Sequence, residues 1–466
     1  MGVLAAVVAY LLAQILLGVW FSRRIATEDD YLLAGRNLGP WLCTFSVFAT
    51  WFAAETCVTA AGEVYRRGIV GGTTDPFAYG LAVVLMGFLF ASRLRRMGLT
   101  TTADLYRRRY GVAVERMAVL LLVPTSVLWA AAQVRAFGQI LGALTGMNVE
   151  TAVALAATAV LLYTLVGGLM ADSVTDLLQG LILILGLAAL TVAVIARGDL
   201  QVLAAVPRER FALFPTDHSL LQTLEMWAVP VLGSFTAQEL ISRALAARSV
   251  RIAKWSTVGG GLLFVGIGLM PVLLGLIGSQ VMPGLAEPEQ VLILQAGLYL
   301  PAVLYVVFAG ALISAVLSSV DSSLLSSGAL IAHNVVLPLR NRARRAQVTP
   351  KGRLWTNRAA VAVLGVGAYL LARGAQSVFE LVEAAASFGT AGLLIVYLFA
   401  FRESGFGGKW AALATLVVGT VAFHLGDLRL PYPYLTAGGL SLAVFVLVGA
   451  AEGAWATSRG RQAAGA

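Results

Sequence analysis

The sequence predicts an all-α polytopic membrane protein, and three observations carry that prediction. Of 466 residues, 59% are hydrophobic and only 12% are charged, with a mean hydropathy of +0.84. Apolar runs of about 20 residues recur along the chain, the length a helix needs to cross a bilayer. Lysine and arginine gather in the short stretches between those runs. A water-soluble domain carries about 25% charged residues. The net charge of +9 would suggest nucleic-acid binding in a soluble protein. Here the positive-inside rule accounts for it, and no nucleic-acid partner is expected. Long runs and an aromatic content of 9% favour helices over a β-barrel.

Hydropathy divides the chain into about thirteen spans, roughly 2–21, 40–62, 76–96, 114–146, 150–167, 171–196, 219–246, 256–282, 288–337, 356–373, 376–400, 408–424 and 433–452. The fourth and ninth are long enough to contain a kink. The first lacks a basic leader and reads as a retained span. With the N-terminus outside and the C-terminus in the cytoplasm, 25 of the 33 basic residues fall on the inner side, Arg243 among them, and seven on the outer side. The remaining one, Arg135, falls within a span. The whole chain, 1–466, reads as one plasma-membrane (inner-membrane) domain. Its core spans lie at about 40–400, and spans 2–21, 408–424 and 433–452 are peripheral. There is no P-loop, no His/Cys cluster and no catalytic constellation, so neither an enzyme nor a cofactor is expected. Cys43 and Cys57 do not make a disulfide framework.

Polar residues within the spans mark a site. In the second span, Thr44 to Gly62, Glu55 lies at bilayer depth, where a carboxylate is costly unless it faces protein, water or an ion. Such a span faces a bundle interior, and a break in it would offer backbone carbonyls to a ligand. The ninth span carries serine pairs at 318/319, 322/323 and 326/327, which align on one face, with Asp321 between them. Close helix packing explains small residues at this spacing. A site for Na⁺ built from hard oxygen ligands explains them equally. In the sixth span, Asp172 is the natural helix cap and Asp176 lies one turn deeper. In the fourth, Trp129 and Gln133 share one face, and Arg135 and Gln139 another. Arg135 suits a substrate carboxylate. It also suits a structural pair with Glu55, Glu239 or Asp176. Trp51, Tyr79 and Trp129 are aromatic surfaces for packing or for a cationic ligand.

Four segments occur in one order: DYLLAGRNLGP (30–40), ATWFAAETCVTAAGEVYRRG (49–68), LYTLVGGLMADSVTDLLQG (162–180) and ISAVLSSVDSSLLSSGALIAHN (313–334). Together they resemble the sodium/solute symporter family of proline, glucose and choline transporters. The resemblance implies a LeuT-type fold, a 5+5 inverted repeat in which spans 2–6 and 7–11 correspond. It implies that span 2 is unwound at its centre and that span 7 breaks near Gly233–Thr236. It also implies sodium coupling. Motif by motif, sodium falls to the main-chain carbonyls of Ala49, Phe52 and Ala315 and to the hydroxyls of Ser318 and Ser319, with Asp176 contributing from behind. Substrate falls to Trp51, Glu55, Thr56, Tyr79, Trp129, Gln133, Arg135 and Phe235. The choline branch is similar at Trp51, Tyr79 and Trp129. The chain departs from it at Ala53-Ala54-Glu55, at Ala237 and at Arg135, and the last favours a carboxylate-bearing amino acid or betaine over a bare quaternary amine. Sodium, a small organic solute and the bilayer are the implied partners, and no residue sets an oligomeric state. Proton coupling through Glu55 or Asp176, or a non-transporting sensor on the same fold, are the other classes.

Overall fold

The computed structural model describes residues 2–464 apart from Ala54, 215–217, Arg345, ten positions between 376 and 389, 403–405 and 428–429. Every named element among the described residues is a helix. Helix α1 is Gly2–Ser22 and α2 Glu28–Leu33. Helix α3, Pro40–Trp51, starts with proline in its first turn, where a missing N–H costs nothing. It stops at Phe52, whose ψ of 80° leaves the helical region. The chain coils again over Glu55–Thr59 and continues as α4, Ala60–Arg67, bent by 63° from α3. Next come α5, Tyr79–Met86, within a longer span to Met97, and α6, Thr102–Tyr110. Thr101 and Asp104 form a capping box at the start of α6.

Helix α7 is Val112–Thr145 and α8 Val149–Ala196. The expected fifth and sixth spans are joined within α8 without a loop. The chain turns at Gly168, whose φ of +58° with a ψ of −176° is a combination essentially confined to glycine. A Cβ there would lie 2.8 Å from the ring of Tyr31, so the bend is also a close approach to α2. Helix α9, Leu220–Gly233, ends in the tight turn Ser234–Thr236, Ala237 is extended, and α10 runs over Gln238–Ala246. Helix α11 is Val250–Val281. The expected ninth span is divided at Leu300–Pro301 into α12, Val291–Tyr299, and α13, Ala302–Ile331. Helices α14 (Pro350–Gly374), α15 (Thr390–Ala400), α16 (Lys409–Asp427) and α17 (Pro433–Ala464) complete the chain.

Helix α13 is the central post, packed most extensively on α8 and α7. Gly186 permits this contact, since a Cβ on it would meet that of Ala311 at 2.4 Å. Among the described residues, eight helices are long and apolar enough to cross a membrane, or nine with the bent pair at Phe52 as one. The thirteen expected spans therefore exceed what length and hydropathy select. The segments at Leu12–Ser22, Val149–Leu162 and Thr390–Ala400 are apolar but short. The break at Ser234 divides the seventh span, and part of the eleventh lies outside the described residues.

Candidate functional site

The site forms where α3 breaks against the serine face of α13. Ser318 Oγ donates to the carbonyl of Ala49 at 2.8 Å and stands 3.0 Å from that of Ala315. Ser319 Oγ donates to the carbonyl of Thr50 at 2.9 Å. The fold thus brings together the Ala49 and Ala315 carbonyls and both serine hydroxyls. Thr50 joins them through its carbonyl. The Phe52 side chain is fully buried, and its N–H donates to Phe48, closing the last turn of α3. The assembled oxygens are hard, neutral donors, the chemistry a monovalent alkali cation takes.

Asp176 accepts a hydrogen bond from Ser46 Oγ of α3 at 2.6 Å. Behind it lies a group that the sequence conceals. Arg243 of α10 was expected at an inner helix end, yet its side chain is fully buried. Its guanidinium contacts Asp172 and lies 3.5 Å from Asp176. Asp172 is therefore an ion-pair partner inside α8, not a helix cap, because α8 passes through this position without ending. The only sequence signal for the cluster is four charged residues in otherwise apolar spans: Asp172, Asp176, Asp321 and Arg243.

A cavity of about 120 Å³ adjoins the break. Trp51, Tyr79 and Trp129 line it, and the rings of Trp51 and Tyr79 are 5.4 Å apart. Hydroxyls of Thr50, Ser126, Ser234, Thr236 and Ser323 belong to residues that line it as well. Glu239, at the first turn of α10, is its one charged residue among those described, and Ser126 donates to its carboxylate. Among the described residues no arginine, lysine or histidine lines it.

The other predicted substrate residues do not line this cavity. Gln133 Nε2 donates to Glu55, and Thr56 Oγ1 donates to Asp75 at 2.9 Å, so these four make a polar cluster beside the break. Phe235 packs on Phe90, with ring centres 5.2 Å apart. Arg135 donates to the carbonyl of Ala372 in α14 at 3.0 Å. On α7, Gln133 lies one turn beyond Trp129 and is held by Glu55 beside the break. Glu239 escaped the sequence reading as a lining residue because only the extended Ala237 turns α10 toward the cavity.

Comparison with known proteins agrees with this architecture. The family model described as the sodium:solute symporter family matches residues 31–419. A high-affinity choline transporter of Drosophila melanogaster is 29% identical over 407 residues, 82% of this chain and 63% of that protein. The human high-affinity choline transporter is 27% identical, over 82% of this chain and 69% of its own length. The osmoregulated proline transporter OpuE of Bacillus subtilis is 25% identical, over 88% of this chain and 85% of its own. The chain thus spans under two thirds of the fly transporter and somewhat more of the others. Among solved structures, a substrate-bound, outward-open Na⁺-coupled sialic acid symporter matches 96% of this chain and 98% of its own, with a TM-score of 0.82 at 18% identity. Mhp1, a nucleobase-cation-symport-1 transporter, matches with a TM-score of 0.62 at 15% identity, over 90% and 93% of the two chains.

Proposed function

Because the chain belongs to the sodium:solute symporter family, we propose that it imports a small ammonium-bearing solute together with Na⁺ by alternating access. The LeuT-type 5+5 repeat, with the N-terminus outside and the C-terminus in the cytoplasm, is part of this reading. So is a plasma-membrane location. The observation that carries the proposal is the meeting of Ser318 and Ser319 with the carbonyls of the broken α3, next to an aromatic cavity. Each serine hydroxyl now donates to a carbonyl. A sodium ion there takes the lone pairs of both oxygens and ties α3 to α13. An ion that binds the closed pair of helices better than the separated pair favours one conformer. A solute that prefers that conformer then binds more tightly with sodium, and sodium binds more tightly with solute by the same factor.

The charge of the cavity supports an ammonium group. A cation over the faces of Trp51, Tyr79 or Trp129 gains about 0.5–2 kcal/mol per ring. Glu239 supplies the opposite charge. Among the described lining residues no basic side chain is present to pair with a carboxylate-bearing amino acid or betaine. The choline transporters among the relatives are consistent with this class.

The test is a thermal-shift and uptake screen of purified protein with choline, glycine betaine, proline and glucose, each with and without Na⁺. Choline is expected to stabilise the protein and to accumulate in proteoliposomes only in sodium. Proline as the sole sodium-dependent hit would sink the ammonium reading. Uptake that persists without sodium and collapses with a proton uncoupler would sink sodium coupling. Ligand binding without any flux would point to a sensor.

A further inference from the structure

Asp172 and Asp176 of α8 and Asp321 of α13 bring carboxylate oxygens within 4.8 Å of one another. All three are buried, at 6%, 0% and 1% exposure. Hard oxygen ligands grouped in this way hold cations. In this chain a cation already stands among them. The Arg243 guanidinium contacts Asp172 Oδ2 and Ser322 Oγ through Nη2, and the same nitrogen lies 3.5 Å from Asp176 Oδ2. Its Nε donates to Ser46 Oγ at 3.2 Å, and Ser46 donates to Asp176. Its Nη1 donates to Ser242 Oγ at 3.2 Å and lies 3.4 Å from the Glu239 carbonyl. The planar fork therefore holds α3, α8, α10 and α13 together at one point.

We infer that Arg243 is a tethered cation filling what would otherwise be a second ion site, so that the protein binds one sodium ion and not two. The inference rests on the sodium reading above. Buried carboxylates demand a compensating charge, and removing one partner of a buried pair leaves an uncompensated charge. The guanidinium supplies that charge at every sodium concentration, and its fork geometry suits two carboxylates at once. A second monovalent ion among these oxygens would lie in contact with the guanidinium, and like-charge repulsion in a low dielectric expels it. Asp176 Oδ1 and Asp321 Oδ2 accept no hydrogen bond. They are the atoms that a second ion would take once Arg243 is gone. Ser322 Oγ donates to the Ser318 carbonyl at 2.6 Å, so the tethered charge and the proposed sodium site are one helical turn apart.

Equilibrium binding of radioactive ²²Na⁺ to the purified, detergent-solubilised protein reads the number of ions directly. One ion per wild-type protein is expected, with hyperbolic binding. Arg243→Gln is expected to bind two, with a Hill coefficient approaching 2, and Arg243→Lys to stay at one. In the Arg243→Gln background, Ser318→Ala plus Ser319→Ala should remove one ion and leave the other. Two ions on the wild type would overturn the inference while leaving sodium coupling intact, and this measurement holds even if Arg243→Gln does not fold. A folded Arg243→Gln that still binds one ion would overturn it as well. No ion on the wild type would overturn both readings.

Discussion

Ser318 and Ser319 donate to carbonyls that α3 itself cannot satisfy, because the helix stops at Trp51. A hydrogen bond or ligand oxygen of this kind is worth about 1 kcal/mol. Ser318→Ala plus Ser319→Ala is expected to raise the Na⁺ concentration for half-maximal uptake by roughly tenfold or more. Unchanged sodium dependence in a well-expressed double mutant would remove these residues from the site. On the solute side, Trp51→Ala and Glu239→Gln should each raise KM for an ammonium solute several-fold to roughly tenfold, as the loss of one cation–π or charge contact predicts. Their half-saturation for sodium, measured at saturating solute, should move much less. A Glu239→Gln variant with unchanged KM would mean that its carboxylate faces no charge on the solute.

At the scale of elements, the broken and bent helices place the site. Gly168 lets α8 turn without a loop, and its Cβ position lies against Tyr31. Gly168→Ala combines a backbone conformation essentially confined to glycine with an overlap, each costing about 1–3 kcal/mol. A markedly lower melting temperature or loss of expression is expected. Gly367→Ala is the control, since a Cβ there meets nothing within 4 Å inside α14, and it should be neutral or slightly stabilising. Equal melting temperatures for the two variants would contradict the role given to the bend. Glu55 and the small residues beside it marked the second span as one that faces a bundle interior, while the breaks after Trp51 and at Ser234 both came with the family resemblance. The division at Leu300–Pro301 follows from proline, which cannot continue the donor ladder of a helix.

Across the whole molecule, a polar cluster away from the cavity joins distant parts of the chain. His333 is 3.0 Å from Glu28 of α2 and 3.5 Å from Asp104 of α6. Arg353 of α14 pairs with Glu28 at 3.3 Å. Burial pushes the Asp104 carboxyl up, but the bond and charge of His333 and the N–H groups of Thr101 and Thr100 outweigh it and hold it down at about 2. A carboxylate depressed in the folded state adds stability that is present above its unfolded value and is lost as pH falls through the folded one. For Asp104 that window runs from about 4 down to about 2, and the contribution is about 2 kcal/mol. Asp104→Asn should lower the melting temperature at pH 7 and flatten its fall between pH 4 and 2. An unchanged acid profile would show that other carboxylates govern acid unfolding.

Sequence alone determined the membrane class, the helical architecture and the family, because hydropathy, charge between spans and motif order are local properties. It also marked Ser318 and Ser319, which helical periodicity aligns on one face, and Glu55, the intramembrane acid of the span that breaks at Phe52. Tertiary structure decided which polar residues face the cavity. Trp51, Tyr79 and Trp129 line it, while Glu55 turns to Gln133 and Arg135 to Ala372. It alone assembled Arg243 with Asp172, Asp176 and Asp321, residues as much as 149 positions apart. Such a pairing leaves no periodic trace in a sequence. Only the crossing of α3, α8, α10 and α13 gives the buried acids their counter-charge.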